Sequence, residues 1–319
     1  MKLWLTCLLF ACMPAWADAP TTPTDAATWL NRVAQATHQL TYQGVFVYQS
    51  QNIMAISHIS HLIDNNGEIS RLDALSGPPH AFLRIDGSVY CSFQNKPSGD
   101  IEHRPHHSFF PEVLPYPNTH LNNFYQVRSL GHAKIADHDC EGVLLIPRDA
   151  YRYGYALWAD STSHVLLRLI KLDAHGQTAS QLTFTQIDIG HAPTRAQLSI
   201  DFNDKLPIKQ SGNETEPKAV WQITNPPSGF HRVTETVMTL PDHAQPITHL
   251  VYSDGLATVS LFIERQTQPN TFHQQGLVQQ GQMLLYTRPM GQYQVTAVGA
   301  VPLATLVLMA DNLAPIERK

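Results

Sequence analysis

Between residues 42 and 189 the chain is a series of short segments in which apolar and polar positions alternate. A period of two residues is typical of strands, and clusters of Asn, Asp and Gly such as Asn65-Asn66-Gly67 separate the segments as turns. The pattern predicts strands at 42–50, 54–62, 68–75, 80–86, 88–93, 124–132, 138–147, 151–159, 164–172 and 179–189. Because the connections are short and no crossover helix intervenes, we expect one curved antiparallel sheet. Residues 95–120, rich in Pro, His, Asn and Gly, are expected to form a long irregular loop.

A helical period precedes the strands. From Asp25 to Leu40 the apolar side chains recur every three or four positions, and Thr24 is suited to cap the first turn. The segment predicts an amphipathic helix whose apolar stripe consists of Ala26, Trp29, Leu30, Val33 and Thr37.

A second unit follows a change of composition. Residues 196–220 are rich in Pro, Gly and polar side chains, which predicts an exposed linker between a large domain at 18–195 and a small domain at 221–319. In the small domain, residues 251–263 predict a hairpin with an Asp254-Gly255 turn. Further strands near 231–239, 283–288 and 293–299 and a closing helix at 302–313 predict an α+β domain. The fold class as a whole is mainly β.

The first residues have the form of an export signal. Lys2 is followed by an uncharged apolar run at 3–13 and by Ala15-Trp16-Ala17, so residues 1–17 are predicted to be a signal peptide that is cleaved after Ala17. The apolar run is too short to span a bilayer. A lipoprotein cleavage box ending at Cys12 is the competing interpretation, although Phe10 is bulky for that box. We therefore expect an exported protein of the bacterial periplasm.

Composition narrows the classes of function. A formal charge of −5 argues against a nucleic-acid partner. The chain has 17 histidines, but Pro105 interrupts their densest group, His103, His106 and His107, so no metal site and no cofactor are predicted. After the signal peptide only Cys91 and Cys140 remain, and the spacing leaves open whether they form a disulfide.

No catalytic pattern emerges beside the conspicuous aromatic run at 151–158. A hydrolase would need a Gly-x-Ser-x-Gly elbow or a close pair of carboxylates, and neither is visible. The chain is therefore not expected to be an enzyme.

Six segments resemble the RseB/MucB family. They are FVYQSQNIM at 46–54, KIADHDC at 134–140, PRDAYRYGYALWAD at 147–160, LLRLIKLDAHG at 166–176, HLVYSDGLATVSLFIE at 249–264 and VTAVGAVP at 295–302. The resemblance covers nearly the whole chain beyond the signal peptide, in order. It implies a large domain similar to the lipoprotein carriers LolA and LolB, a half-open β-barrel covered by helices, joined to a small C-terminal domain. Ala300 is a departure, since an acidic residue is common at this position in the family.

The resemblance also implies a function. Members of the family are periplasmic negative regulators of the envelope-stress sigma factor; they bind the periplasmic part of an RseA/MucA-like anti-sigma factor and shield it from proteolysis. A lipoprotein carrier or chaperone is the alternative, against which the additional small domain argues. A homo-oligomer stays open.

Two sets of binding residues follow from this expectation. A half-open barrel must cover its interior, and acyl chains of lipoprotein or lipopolysaccharide are suitable occupants, although the same aromatic side chains can equally fill an ordinary core. The candidate cavity residues are Phe46, Tyr48, Tyr90, Tyr153, Tyr155 and Trp158. The candidate partner-binding residues, at the hairpin turn of the small domain, are Tyr252, Asp254, Gly255 and Leu256.

Overall fold

The computed structural model describes residues 26–51, 53–85, 88–93, 113–114, 121–198, 220–238, 245–266 and 276–316, and for 88–93 it describes the backbone alone. The predicted signal peptide, the histidine group at 103–107 and most of the predicted linker lie outside the described residues.

Ten antiparallel strands form the large sheet. They are β1 (Tyr42–Ser50), β2 (Ile53–Asp64), β3 (Gly67–Ala74), β4 (His80–Ile85), β5 (Ser88–Phe93), β6 (Tyr125–Ile135), β7 (His138–Pro147), β8 (Gly154–Asp160), β9 (Leu166–Leu172) and β10 (Thr178–Ile189). Their spatial order is β5-β4-β3-β2-β1-β10-β9-β8-β7-β6. The predicted single antiparallel sheet of a mainly β fold is therefore confirmed.

The first and last strands meet at the centre of this sheet. β1 pairs with β10 so that Tyr42 lies opposite Ile189 and Gln49 lies opposite Gln181. On each side of this pair the strands follow one another in chain order, as hairpins with short turns do. The sheet thus consists of two five-stranded halves joined along β1 and β10.

Helix α1 (Ala26–Gln39) lies against the sheet and buries four residues of the predicted stripe, Trp29, Leu30, Val33 and Thr37, whereas Ala26 is half-buried. Its buried side chains belong to the same core as Tyr42, Phe46 and Phe184 of the central strands. Two four-residue helices, α2 (Leu121–Phe124) and α3 (Arg195–Leu198), complete the large domain. Leu198 of α3 packs with Ile69 and Leu83 of the sheet.

The start of β8 differs from the prediction. Residues 151–153 were expected to belong to this strand, but the strand begins at Gly154. The backbone N–H of Tyr151 donates to the Oδ1 atom of Asp149 over 2.9 Å, which holds the chain in a turn. The alternation of aromatic and small residues therefore extends three residues beyond the strand itself.

The small domain is a six-stranded antiparallel sheet with one helix packed on it. Its strands are β12 (His231–Met238), β13 (Ile247–Ser253), β14 (Thr258–Arg265), β15 (Gly276–Gln280), β16 (Met283–Met290) and β17 (Tyr293–Gly299), in the order β12-β13-β14-β17-β16-β15. Helix α4 (Leu303–Asp311) buries Leu306 and Met309 against this sheet. The predicted hairpin and closing helix are confirmed.

Three short strands of this domain escape sequence analysis. β15 is one, and the others are β11 (Trp221–Ile223) and β18 (Leu313–Pro315), which pair with each other across the domain. Within the described part of the chain, no helix combines the length and apolarity needed to cross a membrane.

Candidate functional site

The loop at 148–153, between β7 and β8, carries an arginine that is turned away from water. Asp149 holds the guanidinium of Arg152 in a fork, with Nε donating to Oδ1 over 3.0 Å and Nη2 donating to Oδ2 over 2.9 Å. Arg152 is only 2% exposed. Because an arginine stays charged in proteins, a buried guanidinium needs acceptors on every side.

The small domain supplies the remaining acceptors. Nη1 of Arg152 donates to Oδ2 of Asp254 over 2.7 Å, and Nη2 donates to the carbonyl oxygen of Ser228 over 2.5 Å. The side chains of Arg152 and Asp254 are both 0% exposed. A fully buried ion pair therefore joins the two domains.

Aromatic rings close the space around the guanidinium. Its carbon lies 5.0 Å from the ring centre of Phe124, 5.7 Å from that of Tyr125 and 5.4 Å from that of Phe230. Phe124 and Tyr125 come from the large domain and Phe230 from the small domain. Burial, together with the nearby Tyr155 and Asp254, raises the pKa of Tyr125 well above its usual value, so this ring stays neutral. The cage favours a cation at this position.

Asp254 divides its two carboxylate oxygens between two tasks. Oδ2 receives the hydrogen bond from Arg152, while Oδ1 accepts from the backbone N–H groups of Leu256 over 2.9 Å and Ala257 over 2.7 Å. The second set closes the turn between β13 and β14, where Gly255 takes the expected positive φ of 101°. One side chain thus shapes the hairpin and joins it to the other domain.

Three further contacts cross the boundary between the domains. The Thr305 hydroxyl of α4 donates to the Tyr151 carbonyl oxygen over 2.7 Å, and the Gln282 amide donates to the Tyr48 hydroxyl over 2.8 Å. The ammonium of Lys171 donates to the carbonyl oxygen of Ala300. We call these contacts, together with the Arg152 ion pair, the domain seam.

Lys171 is the second buried cation of the domain seam. It is 7% exposed, and its Nζ atom lies 4.8 Å from the ring centre of Tyr153. Burial lowers the pKa of Lys171 to about 8. Ala300, where the resembled family commonly has an acidic residue, offers only its backbone oxygen to this ammonium.

The structure separates the six candidate cavity residues. Phe46 and Tyr155 are buried in the core that α1 covers, whereas Tyr48 and Tyr153 belong to the domain seam. Trp158 is half-buried and also packs against this core, and the guanidinium carbon of Arg168 lies 5.8 Å from its ring centre. The side chain of Tyr90 lies outside the described residues. The five described side chains thus divide between the core under α1 and the boundary with the small domain, and a shared lipid site for the six residues stays a prediction.

The four candidate partner-binding residues all lie at or beside the domain seam. Leu256 packs against the core of the large domain, and the Tyr252 hydroxyl accepts the backbone N–H of Ile223 over 3.1 Å. Asp254 is engaged with Arg152, as described above. Their side chains contact other parts of this chain, and a role for them in partner binding stays a prediction.

The cysteine question that the sequence leaves open has an answer in the structure. Cys140 is a free, buried thiol whose Sγ donates to the His138 carbonyl oxygen over 3.5 Å. Strand β5, which carries Cys91, lies at one edge of the sheet and β7 lies near the other. Burial and the charge of Asp160 raise the pKa of Cys140 to about 11, so the thiol is protonated and unreactive at neutral pH.

The described residues contain no group of three or more His, Cys, Asp or Glu side chains that could hold a metal ion. Their chemistry is instead that of a buried joint between two domains. Sequence analysis missed this joint, because Ser228 and Asp254, the partners of Arg152 in the small domain, are distant from it in the chain.

Comparison with known proteins covers both domains. The family model for the MucB/RseB N-terminal domain matches residues 25–202, and that for the MucB/RseB C-terminal domain matches residues 215–314. The sigma factor AlgU regulatory protein MucB of Pseudomonas aeruginosa is 30% identical over 316 residues, which are 97% of each chain.

Solved structures agree with this assignment. The MucA/MucB complex of Pseudomonas aeruginosa superposes with a TM-score of 0.72 at 26% identity, over 92% of this chain and 100% of that chain. A crystal structure of MucB superposes with a TM-score of 0.64 at the same identity, over 92% of this chain and 98% of that chain. The chain belongs to the MucB/RseB family.

Proposed function

We propose that this chain is a periplasmic regulator that binds the periplasmic part of a membrane-anchored anti-sigma factor and thereby restrains an envelope-stress sigma factor. The observation that carries the proposal is membership of the MucB/RseB family over both domains. The relative from Pseudomonas aeruginosa is a sigma factor regulatory protein, and that MucB forms a complex with MucA. Bound to such a partner, the chain would cover its protease-sensitive segments.

The experiment is a binding measurement with the periplasmic fragment of an RseA/MucA-like anti-sigma factor from the same organism. We expect a stable complex on size exclusion and slower cleavage of the fragment by added protease. A fragment that elutes separately and is cleaved at its free rate would contradict the proposal. Capture of lipoprotein in place of the fragment would instead support the alternative, a periplasmic lipoprotein carrier.

Regulation by an amphiphile is the finer part of the proposal. Helix α1 covers the core with an apolar stripe, and an acyl chain is a chemical substitute for such a stripe, since each buried methylene contributes about 0.8 kcal/mol. Phe46 and Tyr155 are members of this core and would contact an acyl chain that displaces α1. The acyl chains of lipoprotein and lipopolysaccharide are the candidate signals.

Reciprocal titration tests this part. If lipid A weakens anti-sigma binding about tenfold, the anti-sigma fragment must weaken lipid A binding by the same factor, about 1.4 kcal/mol of coupling. Deacylated lipid A is the matched control and should change neither affinity. Equal anti-sigma affinity with and without saturating lipid A would leave a regulator without a lipid signal.

A further inference from the structure

The strongest unexplained feature of the molecule is the charge buried between its domains. A fully buried ion pair is no general device for stability, because the removal of two charges from water offsets much of their attraction. A buried ion pair does require a fixed geometry, however, because a charge whose partner moves away stays buried without compensation. Arg152 has acceptors in both domains, Asp149 in one and Asp254 and Ser228 in the other. The pair therefore specifies one orientation of the domains above all others.

The surroundings of Arg152 point in the same direction. Gly229 has a φ of +86°, and a Cβ atom added there would lie 2.5 Å from ring atoms of Phe124 in the other domain. Contact this close requires a glycine and requires the two domains to keep their present spacing. A second hydrogen bond from the same loop region, between Thr305 and the Tyr151 carbonyl oxygen, flanks the ion pair.

We propose that Arg152 and Asp254 are positioning residues for binding of the anti-sigma factor: their ion pair latches the two domains in the orientation that the partner recognises. The inference rests on the proposed function and adds to it the means by which the binding surface is assembled. The TM-score of this chain is higher against MucB in its complex with MucA, 0.72, than against the crystal structure of MucB, 0.64. Neither residue needs to contact the partner.

The two oxygens of Asp254 make a selective variant available. Asp254→Asn keeps a carbonyl oxygen for the backbone N–H groups of Leu256 and Ala257, but presents an amide donor to Arg152, which is itself a donor. The hairpin should persist while the latch opens. Asp254→Ala removes both sets of contacts and serves as the disruptive comparison.

A second variant opens the seam without touching a charge. Gly229→Ala should push against Phe124, whereas Gly77→Ala, at a φ of +80° with no atom within 4 Å of the added Cβ, has a similar backbone strain and no clash. Gly77→Ala is thus the matched control for the strain. Arg152→Lys, which keeps the charge but loses the planar fork, should fall between wild type and Asp254→Asn.

The experiment uses the full chain without its signal peptide, with calorimetric titration of the anti-sigma fragment and small-angle X-ray scattering of the free protein. For Asp254→Asn and Gly229→Ala we expect about tenfold weaker binding and a scattering profile shifted from that of wild type. Gly77→Ala should match wild type in both measurements. Thermal unfolding establishes that each variant is folded, and Gly229→Ala decides the question if Asp254→Asn is not.

Two results would overturn the inference alone. Wild-type affinity in both seam variants would show that the latch does not matter for the partner. Weakened binding by Asp254→Asn with an unchanged scattering profile would show that Asp254 contacts the partner directly. Failure of the wild-type chain to bind the fragment would overturn the proposed function, and this inference with it.

Discussion

Lys171 is a charged side chain in a place that water hardly reaches. Its ammonium has the Ala300 carbonyl oxygen and the face of Tyr153 as neighbours, and burial lowers its pKa from 10.5 to about 8. Because the unfolded chain holds this proton up to higher pH than the folded chain does, stability increases as pH rises from about 8 towards 10.5. The buried charge is therefore a cost to the folded state at neutral pH.

The variant Lys171→Met should remove this pH dependence. Over that pH range the wild type is expected to gain roughly 3 kcal/mol of unfolding free energy relative to the variant. Urea unfolding of both proteins at several pH values between 7.5 and 10.5 measures the difference. A constant difference across this range would contradict the prediction.

Glu68 lies on β3, in the half of the large sheet that does not contain Lys171, and its charged form stabilises the fold where that of Lys171 destabilises it. Burial alone would raise its pKa, but hydrogen bonds from His38 and His61 and the charge of Arg84 outweigh burial and hold the pKa far below 4.5. His61 is buried, with Nε2 2.9 Å from Oε1 of Glu68 and Nδ1 2.7 Å from the Leu40 carbonyl oxygen. The carboxylate thus links β2, β3 and β4 with the end of α1.

We expect Glu68→Gln to lower the unfolding free energy by about 1–3 kcal/mol at pH 7. A depressed carboxyl pKa stabilises the fold at pH values above the unfolded pKa, and this contribution is lost as pH falls. The difference between wild type and variant should therefore shrink as the pH falls below about 4.5. Chemical unfolding at pH 7, 5 and 3.5 provides the test, and a difference that grows on acidification would disprove the assignment.

For single residues, the sequence predicts which ones form turns more readily than it predicts which side chains pair over long distances in the chain. The Asp254-Gly255 turn is evident from two adjacent letters, because its geometry is local. The ion pair between Arg152 and Asp254 joins residues 102 positions apart, and no local pattern marks it. The aromatic run that suggested a cavity consists of residues with different surroundings, since alternation alone does not reveal which domain covers each face.

Among the elements, β7 and β8 show how a glycine makes room for a tryptophan. Gly142 lies opposite Trp158 in the strand register, and a Cβ atom on Gly142 would lie 2.4 Å from the indole nitrogen. The indole therefore folds over the neighbouring strand, with Arg168 near its ring. This arrangement leaves Trp158 half-buried.

Gly142→Ala should displace the indole and destabilise the large domain by about 1–3 kcal/mol. In a Trp158→Leu background the same substitution should cost much less, because the clashing ring is absent. Denaturant unfolding of the four proteins of this cycle measures the coupling. Equal costs of Gly142→Ala in both backgrounds would mean that the clash is relieved elsewhere.

The alternation of the sequence predicts nearly all of the large sheet, and the exceptions have physical reasons. β15 is exposed along its length, so its residues show no buried and exposed alternation to detect. β11 and β18 have three residues each and depend on each other across the whole small domain. Strands whose conformation depends on distant partners have no local sequence pattern that predicts them.

In the whole molecule, the domain seam couples the unfolding of the large domain to that of the small domain. The cores of the two domains are separate clusters, but unfolding of either domain alone breaks the buried ion pair between Arg152 and Asp254. Loss of one partner of a buried pair typically costs about 3–5 kcal/mol. The domains should therefore unfold together although each has its own core.

Differential scanning calorimetry should show one cooperative transition for the wild type. Asp254→Asn, which removes the ion pair between the domains and leaves the hairpin bonded, should separate the unfolding into two transitions. Gly77→Ala again serves as the control and should keep the single transition. Two well-separated transitions in the wild type would contradict the shared stability.

The pairing of β1 with β10 has a consequence for the order of assembly. In a chain that emerges with its N-terminus first, β1 to β5 can pair among themselves early, but the outer edge of β1 waits for residues 181–189. Until then the first half-sheet has an open edge that can pair with other chains. Contacts between such distant segments also slow folding, because a long loop must close before they form. The partners that the small domain supplies to the domain seam arrive still later, first Asp254 for Arg152 and then Ala300 for Lys171.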